Sequence, residues 1–349
     1  MLTTKQIEAT GEWIATQQAP SGEIPWWRGG KMDPWDHVHA AMGLTTAGFH
    51  REAARAYRFL AHTQLADGSW PAERNGGTIA NTTKESNHAA YVATGLWHHY
   101  CATQNTAFMT ELWPTVERAI GFVLRLQDGS GAFSWAVSPE GKVWRAPLLT
   151  GSSSIHGSLV CAIRIAEQLG YERPQWLRAR ARLAEVLQNR IERFWKVDLP
   201  EAPGRYSMDW YYPVLGGAVR GDDARDRLLD RTSVDTFIAE GVGCRCVRDA
   251  PWYTVAESCE LVLALDACDL TSRAREILAW MQCYRTKDGG YQPGKTWPEN
   301  VFWPDEQNTW TAAAVLIADD AVACRSATSD FFRSLAGDDL GRSRRAIAS

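Results

Sequence analysis

Residues 64–70 of this 349-residue chain read Gln64-Leu-Ala-Asp-Gly-Ser-Trp70: a glutamine, a glycine turn and an aromatic ring in close succession. Related strings run from Gln17 to Trp26, from Gln127 to Phe133 and from Gln282 to Tyr291. Each string follows an amphipathic segment with helical periodicity. Glycine readily adopts the left-handed conformation that ends a helix, and the aromatic ring can fold back over the helix end. The sequence therefore predicts one helix-and-turn unit, repeated.

The segments between the glycine and proline breaks are of two kinds. One kind has an apolar stripe and a charged face, as in helices with one solvated side, and is predicted at residues 4–17, 51–64, 109–126, 174–195, 222–239 and 271–283. The other kind is rich in Ala and Gly, should be buried on most sides, and is predicted at residues 34–48, 85–101, 153–168, 208–218, 255–268 and 309–323. Strand signals are weak, so we expect negligible strand content.

The alternation of the two kinds predicts outer and inner helices that form six pairs. The expected fold is all-α: a single (α/α)6 toroid, or barrel, in which residues 1–349 form one catalytic domain with a short C-terminal tail at 337–349. No linker or low-complexity stretch divides the chain. The glutamine–aromatic strings resemble the Gln–Trp repeats of squalene cyclases and protein prenyltransferases. That resemblance implies the toroid and leaves the chemistry open.

The composition excludes several classes of protein. Hydrophobic residues make up 45% of the chain and charged residues 22%, which is enough apolar surface for a folded core. The 37 basic and 41 acidic residues leave no positive excess for binding nucleic acid. No apolar run reaches the length that spans a membrane. The expected partner is therefore a small molecule or a polymer other than nucleic acid.

The N-terminal residues lack the basic start and apolar middle of a signal peptide, so we expect a cytoplasmic protein. Most of the eight cysteines lie in apolar helical runs, where a free thiol behaves as a small hydrophobic group. Cys244 and Cys246 match no common zinc spacing. We expect no metal and no cofactor, and the sequence leaves a homo-oligomer open.

Carboxylates recur at the starts of the predicted inner helices. At three of these starts an acid follows a capping residue by three positions, as in a capping box: Asp33 with Asp36, Thr82 with Glu85, and Thr254 with Glu257. Capping alone would explain each acid. In a toroid of helical pairs, however, all inner helices run in the same direction and begin around one mouth. We therefore expect five acids to converge on one cavity: Asp36, Glu85, Asp209, Glu257 and Glu306. Like charges in one cavity push pKa values apart and so create an acid and a base.

Aromatic side chains cluster at the same helix starts. The chain contains 17 tryptophans, and an aromatic ring in a loop offers a flat face to a sugar. The candidate aromatic binding residues are Trp26, Trp35, Trp210, Tyr211, Trp252, Trp303 and Trp310. Polar groups of these regions suit sugar hydroxyls, and the candidates among them are His37, His88, His156 and Glu260, with Lys31, Asn81 and Asn87 nearby.

Two other function classes stay open from the residues alone. An isoprenoid-binding enzyme, of the terpene cyclase or prenyltransferase type, would explain the turns and the many tryptophans. The D-x-D-D motif of terpene cyclases is absent, however, and Asp222-Asp223-Ala-Arg-Asp226 is better explained by acids that favour the start of an outer helix. A non-catalytic glycan-binding toroid would keep its function without either carboxylate.

Longer strings resemble the inverting (α/α)6 glycoside hydrolases, and among them a mycobacterial family that is often labelled prenyltransferase-like and includes a hydrolase of 3-O-methylmannose polysaccharide. The strings are PWDHVHAAMGL (34–44), ESNHAAYVATGLWHHY (85–100), TGSSSIHGSL (150–159), RYSMDWYYPVLGGA (205–218) and FWPDEQNTWTAAAV (302–315). The resemblance implies an α-(1→4)-endomannosidase that acts in the cytoplasm on a partly methylated mannan. The residues alone leave the sugar and its linkage open.

The resemblance also implies two catalytic carboxylates, Asp36 in PWDH and Glu257 in TVAESCE. In an inverting enzyme one carboxylic acid protonates the leaving oxygen, and the other carboxylate activates water on the opposite face of the sugar. We expect Glu257 to be the acid, because its apolar neighbours should raise its pKa. Asp36, near Lys31, should stay ionised as the base. Glu260 and Glu306 stay open as alternatives for the acid.

Overall fold

The computed structural model describes residues 1–195 and 204–336, and the predicted tail at 337–349 lies outside the described residues. These ranges contain the α-helices α1 (Thr4–Gln17), α2 (Pro34–Thr46), α3 (His50–Thr63), α4 (Ser86–Thr103), α5 (Thr106–Leu124), α6 (Leu149–Gln168), α7 (Pro174–Asn189), α8 (Met208–Leu215), α9 (Gly221–Leu228), α10 (Arg231–Phe237), α11 (Val255–Ala267), α12 (Thr271–Trp280), α13 (Thr309–Ala323) and α14 (Phe331–Ala336). Short 3-10 helices cover Ile191–Trp195 and Met281–Tyr284. None of the described helices combines the length and apolar character needed to cross a bilayer.

Six helices pack side by side in a closed ring: α2, α4, α6, α8, α11 and α13. Each contacts the next, and α13 contacts α2. Their Ala and Gly residues let the helices approach closely, since a Cβ on Gly43 of α2 would lie 2.4 Å from the Cβ of Ala313 on α13. All six inner helices predicted from the sequence are present, with ends displaced by a few residues.

An outer layer surrounds this ring. Helices α3, α5, α7, α9 and α12 each pack against the inner helix that precedes them, and α1 packs against α13. Two outer segments differ from the prediction. The α-helix expected over 174–195 ends at Asn189 and gives way to a 3-10 turn. The helix expected over 222–239 is divided into α9 and α10, because the side chain of Asp230 accepts a hydrogen bond from Ser233 N at 2.8 Å and caps a new helix.

In three of the four turns a glutamine ties one outer helix to the next, whereas the side-chain nitrogen of Gln282 in the fourth has no partner among the described residues. Gln64 Nε2 donates to the carbonyl oxygens of Gly68, in its own turn, and of Thr115, on α5, both at 2.9 Å. Gln18 and Gln127 make the same pair of bonds, one within the turn and one to the following outer helix. Each amide thus joins a carbonyl of its own turn to a carbonyl within the following outer helix.

The glycine of each turn sits against the next outer helix. The four glycines have φ between 91° and 101°, and a Cβ on any of them would lie 2.1–2.7 Å from a backbone oxygen of the neighbouring helix: Gly22, Gly68, Gly131 and Gly289. The fourth turn, which follows α12, places Gly289 against Ala9 of α1, so the four turns join α12, α1, α3, α5 and α7 in series. Glycine is required at these positions both for its conformation and for its lack of a side chain.

The expectation of negligible strand content is wrong. The described residues contain three small antiparallel sheets, made of β1 (Lys31–Met32), β2 (Glu73–Asn75) and β3 (Thr78–Asn81); β4 (Lys84–Glu85), β5 (Ala136–Val137) and β6 (Val143–Trp144); and β7 (Ile238–Ala239), β8 (Gly243–Arg245), β9 (Trp252–Thr254) and β10 (Gly294–Thr296). All ten strands lie in loops that lead from an outer helix to an inner one. Strands of two to four residues are too short to give a periodic signal in the sequence.

The short helix α14 lies at the other end of the ring, where the inner helices finish. It packs against α6, α8 and α11, and Phe331 contacts the buried ring of His98 with the ring centres 5.0 Å apart. The small sheets lie in the loops at the opposite end of the ring from α14, where the inner helices begin.

A comparison of two alanine variants tests the role of the turns. Gly68 and Gly48 have similar positive φ values, 91° and 87°, but nothing lies within 4 Å of a Cβ on Gly48, whereas a Cβ on Gly68 would lie 2.1 Å from Arg118 O. Gly48→Ala should lower the free energy of unfolding by about 1–2 kcal/mol. Gly68→Ala should lower it by at least about 2 kcal/mol more, because the turn must move away from α5. Guanidinium unfolding of both variants measures the difference, and equal losses would contradict this role.

Candidate active site

A deep cleft opens where the inner helices begin. It encloses about 1060 Å³, its open mouth included, and its walls contain a residue from the first turns of each of the six inner helices: Asp36, Asn87, Thr150, Met208, Glu257 and Trp310. The inner helices therefore all start at one end of the ring. Of the five acids expected to converge, Asp36, Glu85 and Glu257 line this cleft.

Asp36 lies in the first turn of α2, next to a second carboxylate. Asp33 caps this helix: its Oδ1 accepts a hydrogen bond from Asp36 N at 2.9 Å, and its Oδ2 accepts one from Trp26 Nε1 at 3.3 Å. Asp36 is buried. Burial, followed by the charge of Asp33, raises the pKa of Asp36 well above its usual range.

Burial and Asp33 thus oppose the ionised form that the sequence predicts for Asp36, and the assignment of acid and base stays a prediction. Lys31 lowers the pKa of Asp36, but its effect is smaller than that of burial and of Asp33. The ammonium group of Lys31 instead pairs with Glu73, with Nζ and Oε2 3.3 Å apart. Asp36 is thus suited to carry a proton rather than to accept one.

Glu257 lies in the first turn of α11. Its side chain is buried, and its Oε2 has no hydrogen-bond partner among the described residues. The thiol of Cys246 lies beside it, and burial together with the Glu257 charge raises the pKa of that thiol. Glu257 thus lines the cleft, and its Oε2 is itself buried and makes no hydrogen bond to another described group.

Capping does not explain the three acids of the cleft. In α2 the capping group is Asp33 and not Asp36. In α4 and α11 the predicted capping boxes are absent, because neither Glu85 nor Thr254 makes a side-chain cap hydrogen bond. Instead Glu85 Oε2 accepts a hydrogen bond from Trp135 Nε1 at 3.1 Å and lies 3.5 Å from His88 Nε2.

Glu260 lies one turn beyond Glu257 and does not reach the cleft. Its two oxygens accept hydrogen bonds from the hydroxyls of Tyr211, at 2.8 Å, and Tyr212, at 2.6 Å. Burial raises the pKa of Glu260 to about 8, the Glu257 charge adds to this, and the tyrosine hydrogen bonds oppose it. Since Tyr212 lines the cleft, Glu260 holds part of the cleft wall in place.

The aromatic candidates are divided between the cleft and other places. Trp35 and Trp310 line the cleft, and Trp26 lies behind Trp310, with ring centres 6.4 Å apart. Trp210 is buried and donates a hydrogen bond to Arg227 O at 2.6 Å. Trp252 donates to Trp303 O at 2.7 Å, and this pair is outside the cleft lining.

The remaining polar candidates are also divided between the cleft and other places. His88 lines the cleft, but His37 and His156 are buried and bonded to backbone groups, and burial lowers the pKa of both to about 4. Asp209 lies behind the wall, where it accepts a hydrogen bond from Thr150 Oγ1 at 2.8 Å. Glu306 lies in a second pocket.

Some cleft residues are missing from the catalytic and binding candidates predicted from the sequence. Asp33, Glu73 and Thr150 line the cleft. The spacing of Asp33 and Asp36, one helical turn apart, could have identified Asp33 as a neighbour of the acid. Glu73 lies in β2 and Thr150 in α6, and no sequence pattern marked either residue as part of a site. The described residues contain no group of three or more His, Cys, Asp or Glu side chains that could hold a metal ion.

A curated relative shows the family of the chain. A curated relative from Mycolicibacterium hassiacum, MMP endo-(1,4)-3-O-methyl-alpha-D-mannosidase, is 43% identical over 342 residues, which cover 98% of this chain and 92% of the relative. The chain belongs to the family of this mannosidase. The resemblance found in the sequence is confirmed, and so is the prediction of a glycoside hydrolase. No family model matches the chain.

Solved structures show the same fold at low sequence identity. A wild-type glycosidase has a TM-score of 0.69 and 15% identity, covering 91% of this chain and 96% of that chain. A D-mannose isomerase has a TM-score of 0.67 and 12% identity, covering 92% and 97%. A sugar epimerase from a ruminal bacterium has a TM-score of 0.69 and 9% identity, covering 91% and 98%. At these identities the likeness is one of fold alone.

The buried acid predicts a pH-dependent stability difference. Because the pKa of Asp36 is higher in the folded than in the unfolded chain, its contribution to stability is full at acid pH and is lost as the pH rises through the folded pKa. An Asn side chain does not ionise, so it loses no stability as the pH rises. Asp36→Asn should therefore gain stability relative to wild type above about pH 4, by up to about 1.4 kcal/mol per pH unit between the two pKa values.

Urea unfolding at several pH values between about 4 and 8 measures this difference. Asp226→Asn, which removes an exposed carboxylate of α9, controls for the loss of one negative charge. A stability difference for Asp36→Asn that stays constant or shrinks as the pH rises would contradict the assignment of a proton to Asp36.

Proposed function

We propose that the chain is an endo-acting α-(1→4)-mannosidase that cleaves partly methylated mannose polysaccharide in the cytoplasm. The observation that carries the proposal is a single cleft that holds two buried carboxyl groups, Asp36 and Glu257, in a chain 43% identical to an endo-(1,4)-3-O-methyl-α-D-mannosidase.

We also propose that the ring of inner helices and its outer layer form one (α/α)6 barrel and that this barrel is the whole catalytic domain. The contacts that join each inner helix to the next, and α13 to α2, support this description. Asp36 and Glu257 stand on α2 and α11, which are separated in the ring by α13 alone.

The lining of the cleft suits a methylated sugar. The rings of Trp35, Tyr212 and Trp310 offer apolar faces for ring carbons and methyl groups. Between them stand groups that can bind hydroxyls, such as Asn87 and His88. An isoprenoid chain would leave these polar and charged groups without partners, which is costly. The lining therefore supports a carbohydrate substrate over an isoprenoid.

In the proposed mechanism Asp36 is the general acid. Burial and the neighbouring Asp33 favour the protonated form of Asp36, and Asp36 gives its proton to the glycosidic oxygen as the bond to the anomeric carbon breaks. The resulting Asp36 carboxylate stands near Lys31, whose positive charge favours the ionised form. This role is the reverse of the one expected from the sequence.

Glu257 is then the general base. The carboxylate of Glu257, in the cleft wall, takes a proton from a water molecule, and the oxygen of that water attacks the anomeric carbon on the face opposite the leaving group. The products are a new reducing end, which carries the water oxygen, and a shortened chain with a free 4-hydroxyl. An inverting pair of this kind requires a carboxyl separation of about 6.5–9.5 Å.

Isosteric variants test the two roles. Asp36→Asn and Glu257→Gln should each lower the turnover of methylmannose polysaccharide by about 10²–10⁴-fold, because each removes a proton-transfer group and little volume. Both proteins should stay folded and bind substrate. Glu260→Gln, at the tyrosine-bonded position, should lose less. If Glu257→Gln keeps wild-type turnover, the base must be another acid, such as Glu85.

The stereochemistry of the product tests the proposed inversion. ¹H NMR of a digestion in progress should show the β-anomer of the new reducing end first, with the α-anomer growing in later by mutarotation. An α-anomer that appears first would mean retention, and would require the two carboxyl groups to be only about 5–5.5 Å apart.

A further inference from the structure

A second pocket lies beside the cleft at the same end of the ring. It encloses about 720 Å³, its opening included, and is lined by side chains of α1 and of the loops before α2 and α13, among them Gln17, Trp27, Gln292, Asp305 and Glu306. We call it the Trp27 pocket. Asp36 and Glu257 do not line it, so the proposed mechanism leaves it without a role.

The ring of Trp27 forms a fixed wall of this pocket. A Cβ on Gly30 would lie 2.4 Å from the indole of Trp27, so one edge of this indole packs against the backbone of Gly30. Trp26 packs edge-on with ring centres 6.1 Å apart, and Arg28 N donates to Gln17 Oε1 at 3.1 Å, which ties the loop to α1. Trp27 nevertheless remains 39% exposed. A rigid, partly exposed ring offers contact area with little loss of conformational freedom.

Hydrogen-bonding groups surround this ring. Asp305, Glu306 and Gln307 come from one loop, and Gln17 and Gln292 also line the pocket. A flat aromatic face beside several acceptors suits a ligand that carries hydroxyl groups on an apolar ring. The two carboxylates disfavour an anionic ligand. The chemistry of the pocket is therefore that of a neutral sugar.

Two ring contacts connect the Trp27 pocket to the cleft. Trp310, in the cleft wall, contacts Trp26 with ring centres 6.4 Å apart, and Trp26 contacts Trp27. Lys31, also in the cleft wall, lies 4.5 Å from the ring centre of Trp26. A polymer bound in the cleft can thus continue along a line of aromatic side chains.

We infer that the Trp27 pocket is a distal subsite, which holds outer mannose residues of the polysaccharide chain whose scissile bond lies in the cleft. The inference rests on the proposed function. The distal residues do not react, so their binding should lower KM for long chains and leave kcat unchanged. A short oligosaccharide, which cannot reach the pocket, should not benefit.

Steady-state kinetics on methylmannose oligosaccharides of increasing length test the subsite. For Trp27→Ala, KM should rise about tenfold on the full polysaccharide with kcat unchanged, and both constants should stay within about twofold on the shortest oligosaccharide cleaved. Trp27→Phe, which keeps a flat ring, should restore most of the affinity. Tyr171→Ala removes a ring that is 42% exposed beyond the end of α6, away from the mouth, and should change neither constant.

The outcomes separate the subsite from the proposed function. An unchanged KM on every substrate, or an equal loss on short and long substrates, would overturn the subsite while the proposed function stands. A wild-type protein that cleaves none of the series would overturn the proposed function and the subsite with it.

Discussion

The rest of the structure depends on the docking of each glutamine–glycine turn onto the next outer helix. The amides of Gln18, Gln64 and Gln127 each join two carbonyls, one in the turn and one on the neighbouring helix. The turn glycines lie so close to that helix that no side chain fits. With Gly289 against α1, the turns join α12, α1, α3, α5 and α7 in series, and these outer helices take up fixed places around one axis.

This arrangement brings charges together that are far apart in the sequence. Since every inner helix begins at the same end, first-turn side chains of six helices share one cleft. Burial there would normally neutralise a carboxyl group, and at Asp36 it raises the pKa, with help from Asp33. Glu257 lines the same cleft. The proposed proton donor and proton acceptor are thus brought together by the packing of helices rather than by any local motif.

The sequence predicts the helices and much of the cleft, because these depend on local periodicity and on the common direction of the inner helices. Asp36, Glu85 and Glu257 meet as expected for that reason. His37 does not join them, since adjacent residues of a helix point in directions about 100° apart, and its ring is turned towards Ala56 of α3. Glu306 stands in a loop whose path is set by short strands without a periodic signal. The raised pKa of Asp36 depends on burial by distant residues, which no string of neighbours reveals.

The central claim is that Asp36 and Glu257 act from opposite faces of a mannose ring held in the cleft. A crystal structure of the Glu257→Gln variant with an uncleaved methylmannose oligosaccharide tests this most directly. The account predicts that Asp36 lies within hydrogen-bond distance of the scissile oxygen, and that the amide introduced by Glu257→Gln lies across the ring with room for one water beside the anomeric carbon. An oligosaccharide whose scissile bond lies away from both side chains, or that has both on one face, would contradict it.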